Sequence, residues 1–302
     1  MTIDPKNVLR LNLPQWQGGD RPDYWLGAQV LAAIAPEPQG PVETIAVPRS
    51  AEDNRPVDGG IVSREALLDQ LTAARSAIAR HQPEAIVTLG GDCLIDLAPI
   101  AYLSERYGDD LAVVWVDAHP DVMGPAQFQN AHAHVLAILM GEGDSDFIAA
   151  VSRPLDPRRI LYVGLTETTP FETGFIAKHG LAHLSPEELA VSAEPVLAWL
   201  RSAGGKRVAV HFDVDVLDPA HCDFLLFRNP SVAPNAFEGV ARGRMRFTQV
   251  SGILNAVAAE ADIVGLAIAE YLPWSVIEFA KALNTLPLLG TGEGASHTSD
   301  RS

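Results

Sequence analysis

The chain has 302 residues, 47% of them hydrophobic and 20% charged, a balance that excludes disordered and fibrous classes and fits a soluble globular protein. Its length accommodates one large α/β domain or two small ones. With 38 acidic against 22 basic residues the formal charge is −16, and the basic residues are scattered, which excludes nucleic acid and anionic membrane as expected partners and is compatible with a cationic ligand.

Two cysteines, Cys93 and Cys222, make no framework of the kind that marks an oxidising compartment. Residues 1–10 lack an apolar signal core, and no stretch approaches the roughly 18 apolar residues of a membrane span. A cytoplasmic location is expected.

Short β-rich runs alternate with helical patterns. The first predicted strand is residues 44–47. A helix follows, with Ser63 as N-cap, Leu67, Leu71, Ala74 and Ile78 at helical spacing, and His81-Gln82-Pro83 as its end. Continuous apolar runs at 85–89, 111–116, 160–163, 207–212 and 263–268 read as strands covered on both faces. Between or after them, residues 94–107, 186–203, 248–259 and 275–283 read as helices. This alternation predicts βαβ units and a parallel sheet. Residues 219–243 break the rhythm as a long connection, of a length usually functional or disordered. Residues 290–302 are polar and glycine-rich and read as a disordered tail.

Four segments are dense in metal-capable side chains: Gly90-Gly91-Asp92-Cys93, Asp117-Ala118-His119-Pro120-Asp121, His211-Phe212-Asp213-Val214-Asp215 and Ala269-Glu270-Tyr271-Leu272-Pro273. They fall at predicted strand ends, and open α/β sheets bind ligands beyond the carboxyl ends of their strands. An extended exit from the strand would point Asp117, His119 and Asp121 to one side, and Asp213 and Asp215 would repeat that geometry. Donors so crowded repel one another without cations, which implies divalent metal ions. A lone Asp-x-Asp is more often a loop or cap element; the combination is what makes the metal reading specific.

With these motifs in this order, the chain from about residue 40 to 290 resembles the ureohydrolase family of arginases, agmatinases, guanidinobutyrases and formimidoylglutamases. The resemblance implies a three-layer α/β/α fold with a central, mainly parallel sheet, and a single catalytic domain over residues 1–290 with a tail at 291–302. It implies two divalent ions, manganese by family habit, and hydrolysis of a guanidinium or amidine C–N bond. On that pattern Asp117 and Asp213 bridge the ions, His119 and Asp215 complete one, and Cys93 and Asp121 the other. A bridging water ionised by the metals attacks the guanidinium carbon. His132 shuttles a proton to the leaving amine, with His134 its rival, and Glu270 holds the guanidinium. Asn130, His134, Glu167 and Glu172 match segments that line the substrate pocket. A homo-oligomer, trimer or hexamer, is implied by resemblance alone.

The pattern is broken in places. Most family members have His at the position of Cys93. Two divalent ions neutralise four aspartates, so a thiolate adds one negative charge, disfavours ionisation of the bridging water and favours Zn²⁺, Fe²⁺ or Co²⁺ over Mn²⁺. The opposing expectation is that Cys93 has lost ligation and its ion is weak or absent. Met123 stands where arginases carry an asparagine that reads the amino-acid carboxylate, which puts ordinary arginine recognition in doubt. Arg228, Arg242, Arg244 and Arg246, in or beside the 219–243 connection, either read a carboxylate from a new direction or form a solvated face. His221, Cys222 and Asp223 read as a loop turn before they read as a third metal site. The competing functions are an N-hydroxyarginine hydrolase, a mononuclear zinc deacetylase, and a non-catalytic homologue that binds a small molecule or partner.

Overall fold

The computed structural model describes residues 3–49, 55–233 and 235–283. The tail expected at 291–302 lies outside the described residues. In chain order the elements are β1 (Val8–Leu13), α1 (Asp23–Ile34), β2 (Val42–Thr44), β3 (Val57–Asp58), β4 (Ile61–Val62), α2 (Arg64–His81), β5 (Ala85–Gly90), α3 (Leu97–Tyr107) and β6 (Leu111–Val116). There follow α4 (Val135–Leu139), α5 (Ser145–Ile148), β7 (Ile160–Val163), α6 (Pro170–His179), β8 (Ala182–Leu184), α7 (Glu194–Ala203), β9 (Arg207–Asp213), α8 (Phe247–Glu260), β10 (Asp262–Ala269) and α9 (Trp274–Leu283).

Among the described residues, eight strands form one sheet in the order β2-β1-β5-β10-β9-β6-β7-β8, and every pairing in it is parallel. Parallel strands need crossovers, and helices on both faces leave the central strands apolar throughout, as in the fully buried LAVVWV run of β6. Alternation along each strand divides the core in two. Trp115, Val113, Ala209 and Ala267 face one layer with α2, α3 and α4; Val114, Val116, Val210 and Phe212 face the other with α7 and α8. The expected three-layer α/β/α fold with a parallel sheet is therefore present. No helix among the described residues is long and apolar enough to cross a membrane.

Several boundaries differ from those the sequence suggests. Pairing of β2 covers Val42–Thr44 rather than 44–47. Helix α7 starts at Glu194 rather than near 186, because Pro195 has no N–H to donate and is tolerated only in a first turn. Pro99 does the same for α3, which is preceded by a 3-10 turn at Cys93–Asp96. Ser63 stands at the N-cap of α2 but with left-handed backbone (φ 54°) and no side-chain cap. Strands β1, β3, β4 and β8 and helices α1, α4, α5 and α6 were not legible as elements; β8 is three residues long, with none buried.

Candidate metal centre

The four motif-bearing strands, β5, β10, β9 and β6, are consecutive in the sheet. Register pairs Ala269 with Asp213, Val116 with Phe212 and Ile268 with Leu89, so the residues that follow each strand emerge side by side at one edge. Gly91 is needed there. A Cβ at this position would lie 1.7 Å from the carbonyl oxygen of Gln15, so only glycine lets the segment after β5 pass beneath the one after β1.

Donor atoms gather in three groups, each with all its ligand atoms within 4.8 Å of one another: Cys93, Asp117, Asp121 and His211; Asp117, His119 and Asp215; and Cys93, Asp213 and Glu270. Asp117 belongs to the first two groups and Cys93 joins the first to the third. The extended exit expected after β6 and β9 is instead a turn at each. The Asp117 carboxylate accepts the His119 backbone N–H at 2.7 Å, and the Asp213 carboxylate accepts that of Asp215 at 2.7 Å. One oxygen of each aspartate is thus fixed by backbone. Asp121 reaches the centre by a left-handed backbone (φ 52°) and Glu270 by another (φ 63°), strain of the kind proteins retain at functional sites.

The residues fit divalent cations. Asp121 Oδ2, Asp215 Oδ1 and His211 Nε2 are buried in these groups without a hydrogen-bond partner, a costly arrangement unless a cation completes it. His119 Nδ1 lies 3.0 Å from Asp215 Oδ2 and 3.5 Å from Asp117 Oδ1. Protonation states carry the same signature of missing positive charge. Burial, then the charges of Asp213, Asp121 and Glu270, pushes the Cys93 thiol well above its ordinary value. Burial, then Asp215 and Glu270, raises Asp213, and burial, then Asp117, raises Asp121. At Asp117 burial also favours the acid, but the neighbouring His119 and His211 override it and hold that carboxyl below its ordinary range.

Two elements outside the four motifs shape the wall. The loop after β1 presents the Gly18 carbonyl, which accepts from His132 Nδ1 at 2.8 Å and from the His132 backbone N–H at 3.2 Å. With Nδ1 as donor, Nε2 of His132 carries the free lone pair. The same loop gives its Gly19 N–H to Asp92, which is fully buried; burial, opposed by His132 and this hydrogen bond, leaves the Asp92 carboxyl at about 6. From α1, buried Tyr24 lies beside Glu270, and burial, then that carboxylate, raises its phenol well above the ordinary value. Burial raises Glu270, while His132 and Tyr24 act to lower it.

A family model described as the arginase family matches residues 45–276. The chain belongs to the arginase family. It is 27% identical to an arginase of Schizosaccharomyces pombe over 237 residues, 75% of this chain and 65% of that protein. An arginase of Coccidioides posadasii is 31% identical over 148 residues, 44% of this chain and 46% of the other. The chain thus spans about half to two thirds of the length of these curated relatives. Among solved structures, Bacillus caldovelox arginase superposes with a TM-score of 0.71 at 19% identity over 89% of this chain and 91% of that one. The Entamoeba histolytica arginase complexed with L-ornithine gives 0.68 at 22% identity over 90% and 93%. These likenesses concern the fold.

Among arginase-family positions singled out from sequence, Cys93, Asp117, His119, Asp121, Asp213, Asp215 and Glu270 converge as described. Others are engaged elsewhere. His134 is buried and its Nε2 lies 2.8 Å from the Phe128 carbonyl; burial, opposed by that hydrogen bond, depresses it to about 4. Glu172 closes a capping box at the start of α6, accepting the Thr169 N–H at 2.7 Å. Glu167 is exposed, 3.5 Å from Arg244. Asn130 precedes the 3-10 turn Ala131–His134 without capping it. Arg244 also meets Glu187, and Arg242 lies over the Phe227 ring. Within the 219–243 connection Phe224 and Leu225 are anchored: Leu225 is fully buried, its carbonyl accepts from Trp274 Nε1, and the Phe224 carbonyl accepts from Leu272 N. His221, Cys222 and Asp223 belong to none of the three-donor groups among the described residues. Sequence reasoning named His211 within a metal-capable segment but gave it no role, and it passed over Asp96. The alternation of His211, Asp213 and Asp215, parallel to that of Asp117, His119 and Asp121, was the available signal for the first; nothing local marks the second.

Proposed function

We propose that this protein is a binuclear metal-dependent hydrolase that cleaves a C–N bond of a guanidino or amidino compound and releases urea or a related product. The observation that carries the reading is Asp117, whose carboxylate is shared by two donor groups while Glu270 stands within 4.8 Å of Cys93 and Asp213 beside them. A carboxylate common to two groups is the natural bridge between two cations, and a second, unshared carboxylate beside them suits a planar cation.

Two divalent ions, when bound, supply the Lewis acidity that ionises water near neutral pH. Cys93, Asp117, Asp121, His119, Asp213 and Asp215 would hold them. Glu270 accepts the guanidinium N–H groups and orients the planar carbon toward the centre. His132, oriented by the Gly18 carbonyl, takes up a proton at the Nε2 lone pair and passes it from there to the departing amine, returning to the neutral ring. Manganese is the expected metal by family, while a Cys93 thiolate shifts preference toward Zn²⁺, Fe²⁺ or Co²⁺. By the same reading the chain forms a homo-oligomer.

A release assay for urea, hydroxyurea and ammonia over arginine, N-hydroxyarginine, agmatine and shorter guanidino acids, repeated with Mn²⁺, Co²⁺, Fe²⁺ and Zn²⁺, tests the proposal. Metal-dependent release from at least one compound is expected. Two bound ions with no release from any compound would overturn it in favour of a binding protein, and one ion per chain would favour mononuclear chemistry.

A further inference from the structure

We propose that His211 is itself a metal ligand, its Nε2 joining Cys93, Asp117 and Asp121 around one ion position, with Asp96 as the positioning residue that fixes the ring. The inference deepens the proposed function and rests on its two-ion centre.

Position is the first argument. His211 lies on β9, two residues before Asp213, and side chains two apart on a strand share a face. Register places it opposite Trp115, whose ring stacks on the imidazole at 3.8 Å and 14°. That stacking holds the plane of the ring. Asp96 Oδ2, 2.6 Å from Nδ1, fixes its rotation and claims the Nδ1 proton. In the neutral ring, the form that can bind a metal, the other nitrogen is then a lone pair directed away from Asp96, the arrangement in which a carboxylate orients a histidine for a metal.

The second argument is the state of Nε2. It is buried in a residue with no exposed surface, and it has no hydrogen-bond partner. The nearest carboxylate oxygen, Asp117 Oδ2, is 3.6 Å away, beyond a hydrogen bond. Ligands bonded to one ion at about 2.0–2.3 Å stand roughly 3–3.7 Å apart, so the separation suits two atoms that share a cation. Cys93 Sγ and an Asp121 oxygen fall in the same cluster. Charge gives the third argument. This cluster already holds a thiol and two carboxyls, and a neutral imidazole adds a strong donor without adding repulsion.

The test uses the full chain and Co²⁺ as probe, because its visible absorption reports coordination and a thiolate ligand adds a charge-transfer band. Wild type is expected to bind two Co²⁺ per chain. His211→Phe, which keeps a ring against Trp115, is expected to keep one ion at wild-type affinity and to lose the other by at least about 100-fold, with the thiolate band lost together with it. Asp96→Asn, which keeps an acceptor for Nδ1, is expected to weaken that same ion by about 10–100-fold, and it carries the test if His211→Phe fails to fold. Two ions bound at unchanged affinity with an unchanged spectrum in the variant that folds would overturn the assignment, as would a wild type that binds a single ion with His211 as an imidazolium in place of the second. Wild type that binds two ions in a His211-dependent manner but hydrolyses no guanidino compound would sink the proposed function and leave this assignment standing. Hydrolysis with His211-independent metal binding would do the reverse.

Discussion

Cys93 and Asp213, 120 residues apart in the chain, meet with Sγ 2.9 Å from Oδ2. The thiol donates a hydrogen bond to the carboxylate, and a cation that takes both groups must displace that proton. Burial and the surrounding carboxylates raise the Cys93 thiol, so its proton is retained at neutral pH until metal arrives. Metal uptake is therefore predicted to release protons and to strengthen with rising pH. Calorimetry in buffers of different ionisation enthalpy measures the proton count. Cys93→Ala should release fewer protons and bind one of the two ions more weakly; identical affinity and proton release in the variant would remove Cys93 from the ligand set.

Without metal, the fold should lose stability as pH rises above about 6.5. Burial disfavours the His211 imidazolium, but Asp117 and Asp96 override it and push the group up to about 10. A histidine raised in the folded state stabilises fully below its unfolded pKa of about 6.5 and loses that contribution as pH rises through the folded value. His119, where burial is overridden by Asp215 and Asp117, acts in the same direction. For one full proton the slope is at most about 1.4 kcal/mol per pH unit. Melting temperatures in chelator should fall between pH 7 and 9, whereas metal-loaded protein should show little of this dependence. A flat chelator profile would show that these imidazoles are neutral in the apoprotein.

Glu270→Gln preserves shape and removes charge. A hydrogen bond to a charged group contributes about 1.5–3 kcal/mol, so kcat/KM for a cationic guanidino substrate should fall about 10–100-fold. Metal stoichiometry should stay at the wild-type value. Loss of metal with activity would instead make Glu270 a ligand.

His132→Asn removes the proton carrier while leaving the metal donors in place. We expect kcat to fall by about 10²–10⁴, with ion content unchanged and partial rescue by added imidazole. The matching His134→Asn change, at a side chain whose Nε2 meets the Phe128 carbonyl, should lower thermal stability more than it lowers kcat.

Gly91→Ala tests the close crossing at the sheet edge. A Cβ 1.7 Å from the Gln15 carbonyl cannot be accommodated without backbone movement. Overpacking of this kind costs about 1–3 kcal/mol or more, so the melting temperature should drop and metal affinity should weaken with it. An unchanged melting temperature would mean that the segment after β1 moves freely.

Much of the framework was legible in the sequence because it is written in short periods. Continuous apolar runs marked β5, β6, β7, β9 and β10 closely, and the donors stood at their ends. The family resemblance added roles that spacing could not. What stayed hidden was non-local or short. Helix α1 and strand β1 supply Tyr24 and lead into Gly18, yet neither residue looks chemical until His132 and Glu270 are brought against them. Glu172 has the residue type of a binding carboxylate, but Thr169 three positions earlier turns it into a cap.

By itself, the sequence determined which residues would leave the sheet at its carboxyl edge, since alternation and strand ends are properties of neighbouring positions. Tertiary structure decided how those donors are grouped. Only the strand order β5-β10-β9-β6 and its register put Cys93 beside Asp213, Asp117 between two clusters, and Asp96 against His211. Hydrogen bonds and metal coordination act over about 2–3 Å, a distance set by the packing of strands far apart in the chain and recorded in no single segment of it.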